Sequence, residues 1–195
     1  MKTRLLFVLT ASFLAFSCCN KSKQDKVSMV SVEENGETTF YSEDQKAYDQ
    51  IYLGMIQNYV DSLLPDSIQI ESRGISFKTK PTYVGGRFFQ LHLQGDTVSR
   101  YQERAREIAN IINAQYGSYK NYKISEVERL ALPQKTVFQG NEIHWGKHWE
   151  NGNKFIVIGN QKHDYDKYSV WLWIFNTDVW DNLGGHQESK DSSKF

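Results

Sequence analysis

The amino-acid sequence predicts an α+β domain in which two amphipathic helices pack on one face of an antiparallel sheet. Three observations lead to this fold class. Two stretches carry apolar residues at helical spacing, and the last third of the chain consists of short β-type segments separated by turn signals. The links between these β segments are short, which indicates an antiparallel meander. We expect about five to six strands, in the order α-β-β-α-β-β-β-β.

The first helix is predicted over residues 42–63. Ser42 and Gln45 have the Ser-x-x-Gln spacing of a helix capping box. Apolar side chains then recur every three or four residues, at Tyr48, Ile51, Tyr52, Met55, Ile56, Tyr59, Val60 and Leu63. Pro65 ends the helix, because proline cannot continue it.

Two strands and a second helix follow. Residues 68–79 alternate as a strand does, with a change of parity near Gly74 that a tight turn or a bulge would explain. Residues 87–94 form the next strand. The second helix is predicted over residues 97–116, with Asp96 as its N-terminal cap and Gly117 just beyond its last turn.

The last third of the chain is rich in strands. We predict β segments at Thr136–Gln139, Glu142–Trp149, Lys154–Asn160 and Tyr168–Asn176. Asn151-Gly152 is a strong hairpin signal between the second and third of them. The polar residues 161–167 are predicted to form the loop before the last strand.

The N-terminal residues have the pattern of a secretion signal. Two basic residues precede a short apolar run and a pair of cysteines, in the order Lys2, Arg4, Leu5–Phe16, Ser17, Cys18 and Cys19. An apolar run of about twelve residues is too short to span a membrane, which takes roughly twenty. The segment resembles the signal of bacterial lipoproteins, in which cleavage falls just before a cysteine that carries acyl chains.

The resemblance implies that Cys18 is acylated, because Ala15, Phe16 and Ser17 stand at the three positions before it. Cys19 is the second choice. The alternative is an ordinary secretion signal cut after Ser17, which would release a soluble periplasmic protein. A lipoprotein would be held at the membrane by its acyl chains. No acidic run follows the cysteines, which favours the outer membrane on its periplasmic side.

The chain is therefore divided into four parts. The predicted divisions are a signal peptide over residues 1–17, a lipid-anchored flexible tether over 18–41, a single α+β domain over 42–183 and a polar tail over 184–195. About 140 residues suit one domain with one core. The tether is assigned because residues 20–41 carry few large apolar side chains and no clear periodicity.

Composition excludes several classes of function. The chain carries 23 basic and 23 acidic side chains and no basic stripe, so nucleic acid is not an expected partner. Its only cysteines are the adjacent pair at the signal, so the domain has neither a disulfide nor a cysteine-ligated zinc site. No cofactor is expected, because Gly85-Gly86 is too short to cradle a phosphate.

His144 and His148 are candidate site residues. On a helix they would lie one turn apart and could share a zinc ion. The surrounding residues indicate a strand, however, where two residues four positions apart are separated by roughly 13 Å. We therefore expect no metal site. The predicted arrangement is a polar sheet face with Glu142, His144, His148 and Glu150, while Ile143, Trp145 and Trp149 face the core.

Aromatic side chains are concentrated on the last strand. Trp171, Trp173 and Phe175 share one face of it, and the other face is also apolar. Core packing is the favoured explanation, because large aromatic side chains dominate cores. If the face is exposed, it is the best candidate for binding a peptide, a glycan or a protein, and Trp180 extends the same patch.

These observations predict a non-enzymatic, lipid-anchored envelope protein whose domain is a binding or interaction module. Such a module would act as an inhibitor, an immunity-type protein or an accessory subunit of an envelope complex. The alternative is a glycan-binding or hydrolytic accessory protein that uses the aromatic face together with Glu142, His144 and His148. No Gly-x-Ser-x-Gly nucleophile motif supports catalysis.

Overall fold

The computed structural model describes residues 28–70, 74–121, 135–138 and 141–183. The strands are β1 Met29–Glu34, β2 Glu37–Ser42, β3 Lys46–Tyr48, β4 Ile51–Tyr52, β5 Ser67–Ile70, β6 Ile75–Val84, β7 Arg87–Val98, β8 Lys120–Asn121, β9 Lys135–Phe138, β10 Asn141–Asn151, β11 Lys154–Asp164 and β12 Lys167–Asn176. The helices are α1 Gln57–Leu63, α2 Tyr101–Tyr116 and α3 Thr177–Asn182. The predicted signal peptide, the predicted acylation site and the predicted polar tail lie outside the described residues.

Within the described ranges, eight strands form one antiparallel sheet, which confirms the α+β class. Seven of them lie in the spatial order β5-β6-β7-β12-β11-β10-β8, and β9 pairs with β10. The prediction of five to six strands is too low, and the simple meander order is wrong. The last strand, β12, lies between β7 and β11 in the middle of the sheet. Sequence patterns reveal local hairpins, but the pairing of β7 with β12 joins residues far apart in the chain.

The N-terminal hairpin differs from the prediction. β1 and β2 pair from Met29 to Ser42, within the segment that was predicted to be an unstructured tether up to residue 41. The turn between them is Asn35-Gly36, and both residues have positive φ angles, of 53° and 83°. Asn-Gly is the preferred sequence for such a two-residue turn. The prediction of a flexible tether is therefore wrong for residues 29–41, and residues 18–27 lie outside the described part.

The first predicted helix is mostly not helical. The capping box at Ser42 and Gln45 is present, but it begins a 3₁₀ turn over Glu43–Gln45. The strands β3 and β4 follow, and only Gln57–Leu63 is helical. Gly54 explains the difference: its φ is +98°, and its N–H donates to the Phe88 carbonyl at 2.6 Å. Pairing with β7 has overridden the helical periodicity.

The second helix is confirmed, with a later start. α2 begins at Tyr101 instead of Thr97, because β7 continues to Val98, which pairs with Tyr168 of β12. Gly117 caps its C-terminus with a φ of +79°, as predicted. Asp96 lies within β7 and is not the N-terminal cap.

The hairpins predicted for the last third of the chain are present in the structure. β10 and β11 are joined by a two-residue turn, Gly152-Asn153, beside the predicted Asn151-Gly152 signal. The loop predicted over residues 161–167 is shorter, since β11 runs to Asp164 and β12 starts at Lys167. α3 was not predicted; the Asn176 side chain caps it by accepting from the backbone N–H groups of Asp178 and Val179.

Each face of the sheet carries its own hydrophobic core. α1 and α2 both pack on the first face, as predicted for the two helices, with Val60, Ile108 and Ile112 among the buried residues. The second face carries a smaller and mainly aromatic cluster, to which Trp180 of α3 belongs. Among the described residues, no helix is both long and apolar enough to cross a membrane.

Candidate functional site

The aromatic face of β12 is buried. Trp171 and Phe175 are 0% exposed, Trp173 is 2% and Trp180 is 8%. The rings pack on one another: the centroids of Trp173 and Phe175 are 4.6 Å apart, and Trp180 lies 4.5 Å from Phe89. The favoured explanation, core packing, is therefore confirmed. These four candidate residues form no exposed patch.

Two buried indole N–H groups of this aromatic cluster have acceptors within the fold, whereas the indole N–H of Trp180 has no hydrogen-bond partner among the described residues. The indole N–H of Trp171 donates to Ser169 Oγ at 3.0 Å and to Gln161 Oε1 at 3.1 Å. The indole N–H of Trp173 donates to Gln90 Oε1 at 2.8 Å. Buried polar groups need such partners, so these contacts hold the rings in one arrangement.

His92 lies among these tryptophans. Its ring is stacked against Trp145 at 6.0 Å and against Trp173 at 5.6 Å, and the residue is 2% exposed. Burial lowers the pKa of His92 from 6.5 to about 4, because the charged imidazolium would lose its hydration there. His92 is therefore neutral at physiological pH.

The low pKa of His92 predicts acid sensitivity. Between pH 6.5 and about 4 the unfolded chain binds a proton at this imidazole and the folded protein does not. The free energy of unfolding should therefore fall as the pH is lowered through this interval, by about 3 kcal/mol in total. Urea titrations across the interval measure the slope. The slope of the free energy of unfolding against pH should be smaller in His92→Phe. His144→Phe, at a half-exposed histidine, should keep the slope of the wild type. Equal slopes in all three proteins would contradict the assignment of the acid sensitivity to His92.

The predicted polar face of β10 is divided by a bulge. The register with β11 shifts between Trp145 and Lys147, so side chains on either side of Gly146 no longer alternate in one phase. Trp149 belongs to the first core and Trp145 to the second. The prediction that they share a face is wrong, and so is the common face of His144 and His148.

His148 and His144 consequently have different surroundings. His148 is 1% exposed, and its Nε2 lies 2.9 Å from Glu150 Oε1. Burial works to raise the pKa of Glu150, but hydrogen bonds from Lys120 and His148 outweigh it and lower the pKa. His144 is half exposed and lies 3.7 Å from Glu142. Within the described residues, no group of three His, Cys, Asp or Glu side chains could hold a metal ion.

A cavity lies between α2 and the strands β10 and β11. We call it the α2 cleft; its volume is about 590 Å³. Its lining is Tyr101, Gln102, Ala105, Arg106, Ala109, Asn110, Asn113, Tyr119, His144, Gly146, Lys147, Ile158, Gly159 and Asn160. Of the predicted site residues, only His144 contributes to it.

The helical side of the cleft is a stripe of polar residues. Gln102, Arg106, Asn110 and Asn113 recur at three- or four-residue spacing and so lie on one side of α2. This stripe flanks the apolar positions that pack on the sheet. Sequence reasoning assigned no role to it, although its amide-rich composition was an available signal.

Two glycines lie on the strand side of the cleft. Gly146 is at the β10 bulge and Gly159 opposes Trp145 on β11. Isolated glycines in strands often mark bulges or close approaches, so they were the second available signal. The Trp149 indole N–H donates to Asn113 Oδ1 at 2.8 Å and ties α2 to β10 beside the cleft.

Comparison with known proteins finds no match to this chain. No family model fits it, and no curated protein and no solved structure is similar to it. A fold alone does not define a function, and function has to be argued from a site. The chemistry of the α2 cleft is therefore the basis for the functional proposal.

Proposed function

We propose that this chain is a lipid-anchored envelope protein whose domain binds a small ligand in the α2 cleft. The observation that carries the proposal is the cleft itself. A volume of about 590 Å³ falls within the range of roughly 300–1,000 Å³ that is typical of small-molecule sites. Its lining combines apolar side chains with several hydrogen-bonding groups, which is the usual composition of such sites.

The lining supports binding better than hydrolysis. The described residues around the cleft include no carboxylate, cysteine, serine or threonine. Glycoside hydrolysis commonly uses two carboxylates, and acyl transfer needs a nucleophile beside a base. His144 is half exposed and, among these lining residues, has no serine, threonine or cysteine beside it that it could activate. A binding role is therefore preferred to the hydrolytic alternative.

Binding in the cleft can be tested by filling it. Asn110→Trp places a large side chain in the lining, and Ala114→Trp is the matched control, because Ala114 is exposed on α2 outside the lining. A fragment library is screened by ligand-observed NMR on the full-length protein in detergent. We expect hits that bind the wild type and Ala114→Trp and are lost with Asn110→Trp. Absence of any such hit would contradict the proposal.

An exposed apolar pair makes a protein partner the second candidate. Met29 is 55% exposed and Phe40 is 62% exposed. Because Phe40 pairs with Ser31, two residues from Met29, the two side chains lie on one face of the β1–β2 hairpin. This face is the surface on which an inhibitor or accessory-subunit role would depend.

The lipid anchor is tested separately from the cleft. We predict that Cys18→Ala moves the protein from the membrane pellet to the soluble fraction, because the acyl chains can no longer be attached. Cys19→Ala is the control and should remain in the pellet. Immunoblots of fractionated cells measure both variants. A Cys18→Ala protein that stays in the pellet while the Cys18/Cys19 double variant becomes soluble would assign the anchor to Cys19.

A further inference from the structure

The charged groups that line the α2 cleft all have one sign. Arg106 lies on the helical side and Lys147 on the strand side, with His144 close to the latter on β10. The described lining contains no acidic side chain. The whole chain has equal numbers of basic and acidic residues, so this local excess of positive charge does not follow from composition.

Arg106 differs from the other arginines near the start of α2. Arg100 pairs with Glu103 and Arg104 pairs with Glu107, both at 3.7 Å. Arg106 forms no ion pair with any of the described residues, and it borders the cleft. A guanidinium group offers five N–H donors in a planar fork that matches a carboxylate or a phosphate.

Lys147 is held in place on the opposite side. Its Nζ donates to the Tyr119 hydroxyl at 2.9 Å and lies 4.0 Å from the centre of the Tyr119 ring. An ammonium group has three N–H donors, so these contacts orient the group without using all of them. Its position is thereby fixed before a ligand arrives, which lowers the entropic cost of binding.

Amide groups supply the remaining polar contacts. Because an indole N–H can only donate, Asn113 must present its oxygen to Trp149, which leaves its two N–H donors for other partners. Gln102, Asn110 and Asn160 add further amides to the lining. An amide both donates and accepts, so this set suits a ligand rich in hydroxyl groups.

We propose that the α2 cleft binds an acidic saccharide, with its carboxylate or phosphate held between Arg106 and Lys147 and its hydroxyl groups on the amide stripe. The proposal rests on the proposed function, since it assigns the chemistry of the ligand in the same cleft. Opposite charge favours the bound state, and hydrogen bonds to charged groups contribute more to binding than hydrogen bonds between neutral groups.

Four sugars that share the glucose ring test whether the cleft prefers an anionic ligand. Glucuronate, glucose 6-phosphate, glucose and glucosamine are titrated by calorimetry into the full-length protein in detergent. We expect at least one of the two anions to bind at least about tenfold more tightly than glucose, with glucosamine the weakest. The comparison between the two anions tells which acidic group the cleft takes. Affinity for the anion should also fall as salt is raised.

Variants connect the preference to the two cations. Arg106→Gln and Lys147→Gln should each weaken binding of the preferred anion at least about tenfold without changing the melting temperature. Arg104→Gln is the control on the same helix and should bind normally. Binding of fragments or glucose with no preference for the anions would overturn this inference and leave the proposed function standing. If no fragment and no sugar binds at a place that Asn110→Trp blocks, both this inference and the proposed function fail.

Discussion

Glu34→Ala should lower the free energy of unfolding by about 3 kcal/mol. The Glu34 carboxylate is fully buried and accepts hydrogen bonds from the Tyr41 hydroxyl and, at 3.1 Å, from the backbone N–H of Ile56. It also lies 4.0 Å from Arg87 on β7. Alanine would leave two buried donors without an acceptor.

Glu33→Ala provides the control for this prediction. Glu33 is the neighbouring residue on β1 and is exposed, so its loss should change stability by less than about 0.5 kcal/mol. Urea denaturation followed by circular dichroism compares the two variants. Hydrogen exchange of the β1–β2 amides adds a local measure, since the hairpin should open first in Glu34→Ala. Equal stability of the two variants would show that Glu34 does not join the hairpin to the sheet.

Gly159→Ala is the second substitution with a large expected effect. A Cβ atom at Gly159 would lie 2.5 Å from Cε3 of Trp145 and 2.8 Å from the carbonyl oxygen of His144. The tryptophan is enclosed in the second core, and a backbone carbonyl cannot move without breaking the strand pairing. Overpacking of this kind costs about 1–3 kcal/mol, and we expect the upper end of that range.

Gly146→Ala, on the neighbouring strand β10, is the control for Gly159→Ala. A Cβ at Gly146 would meet only the carbonyl oxygen of Ile158, at 3.8 Å, which is an ordinary contact. Its melting temperature should therefore stay within a few degrees of the wild type. Thermal unfolding of both variants measures the difference. If Gly146→Ala is destabilised as strongly as Gly159→Ala, the loss of stability comes from replacing any glycine in these strands and not from the contact with Trp145.

Local signals in the sequence predicted the features that depend on local geometry. Gly117 ends α2 because it can adopt the positive φ of a helix C-cap, and Asn151-Gly152 marks the β10–β11 turn because that turn needs the same freedom. The α+β class follows from such signals. No contact with distant residues is needed to form any of these features.

Tertiary contacts decided the features that sequence reasoning missed. Residues 51–55 have helical spacing, but Gly54 and Met55 pair with Phe88 and hold the chain in a turn after the short strand β4. The bulge at Gly146 reverses the side-chain phase of β10, which a strict alternation along the whole strand does not allow for. The α2 cleft lies beside this bulge, between the helix and the strands β10 and β11.

The central position of β12 has a consequence for how the chain folds. β12 is the last strand in sequence, yet it joins the β5–β7 half of the sheet to the β8–β11 half. A nascent chain that ends before residue 167 therefore has two half-sheets with no strand to connect them. Pairings between distant residues form slowly. The complete sheet therefore forms only after β12 has been synthesised.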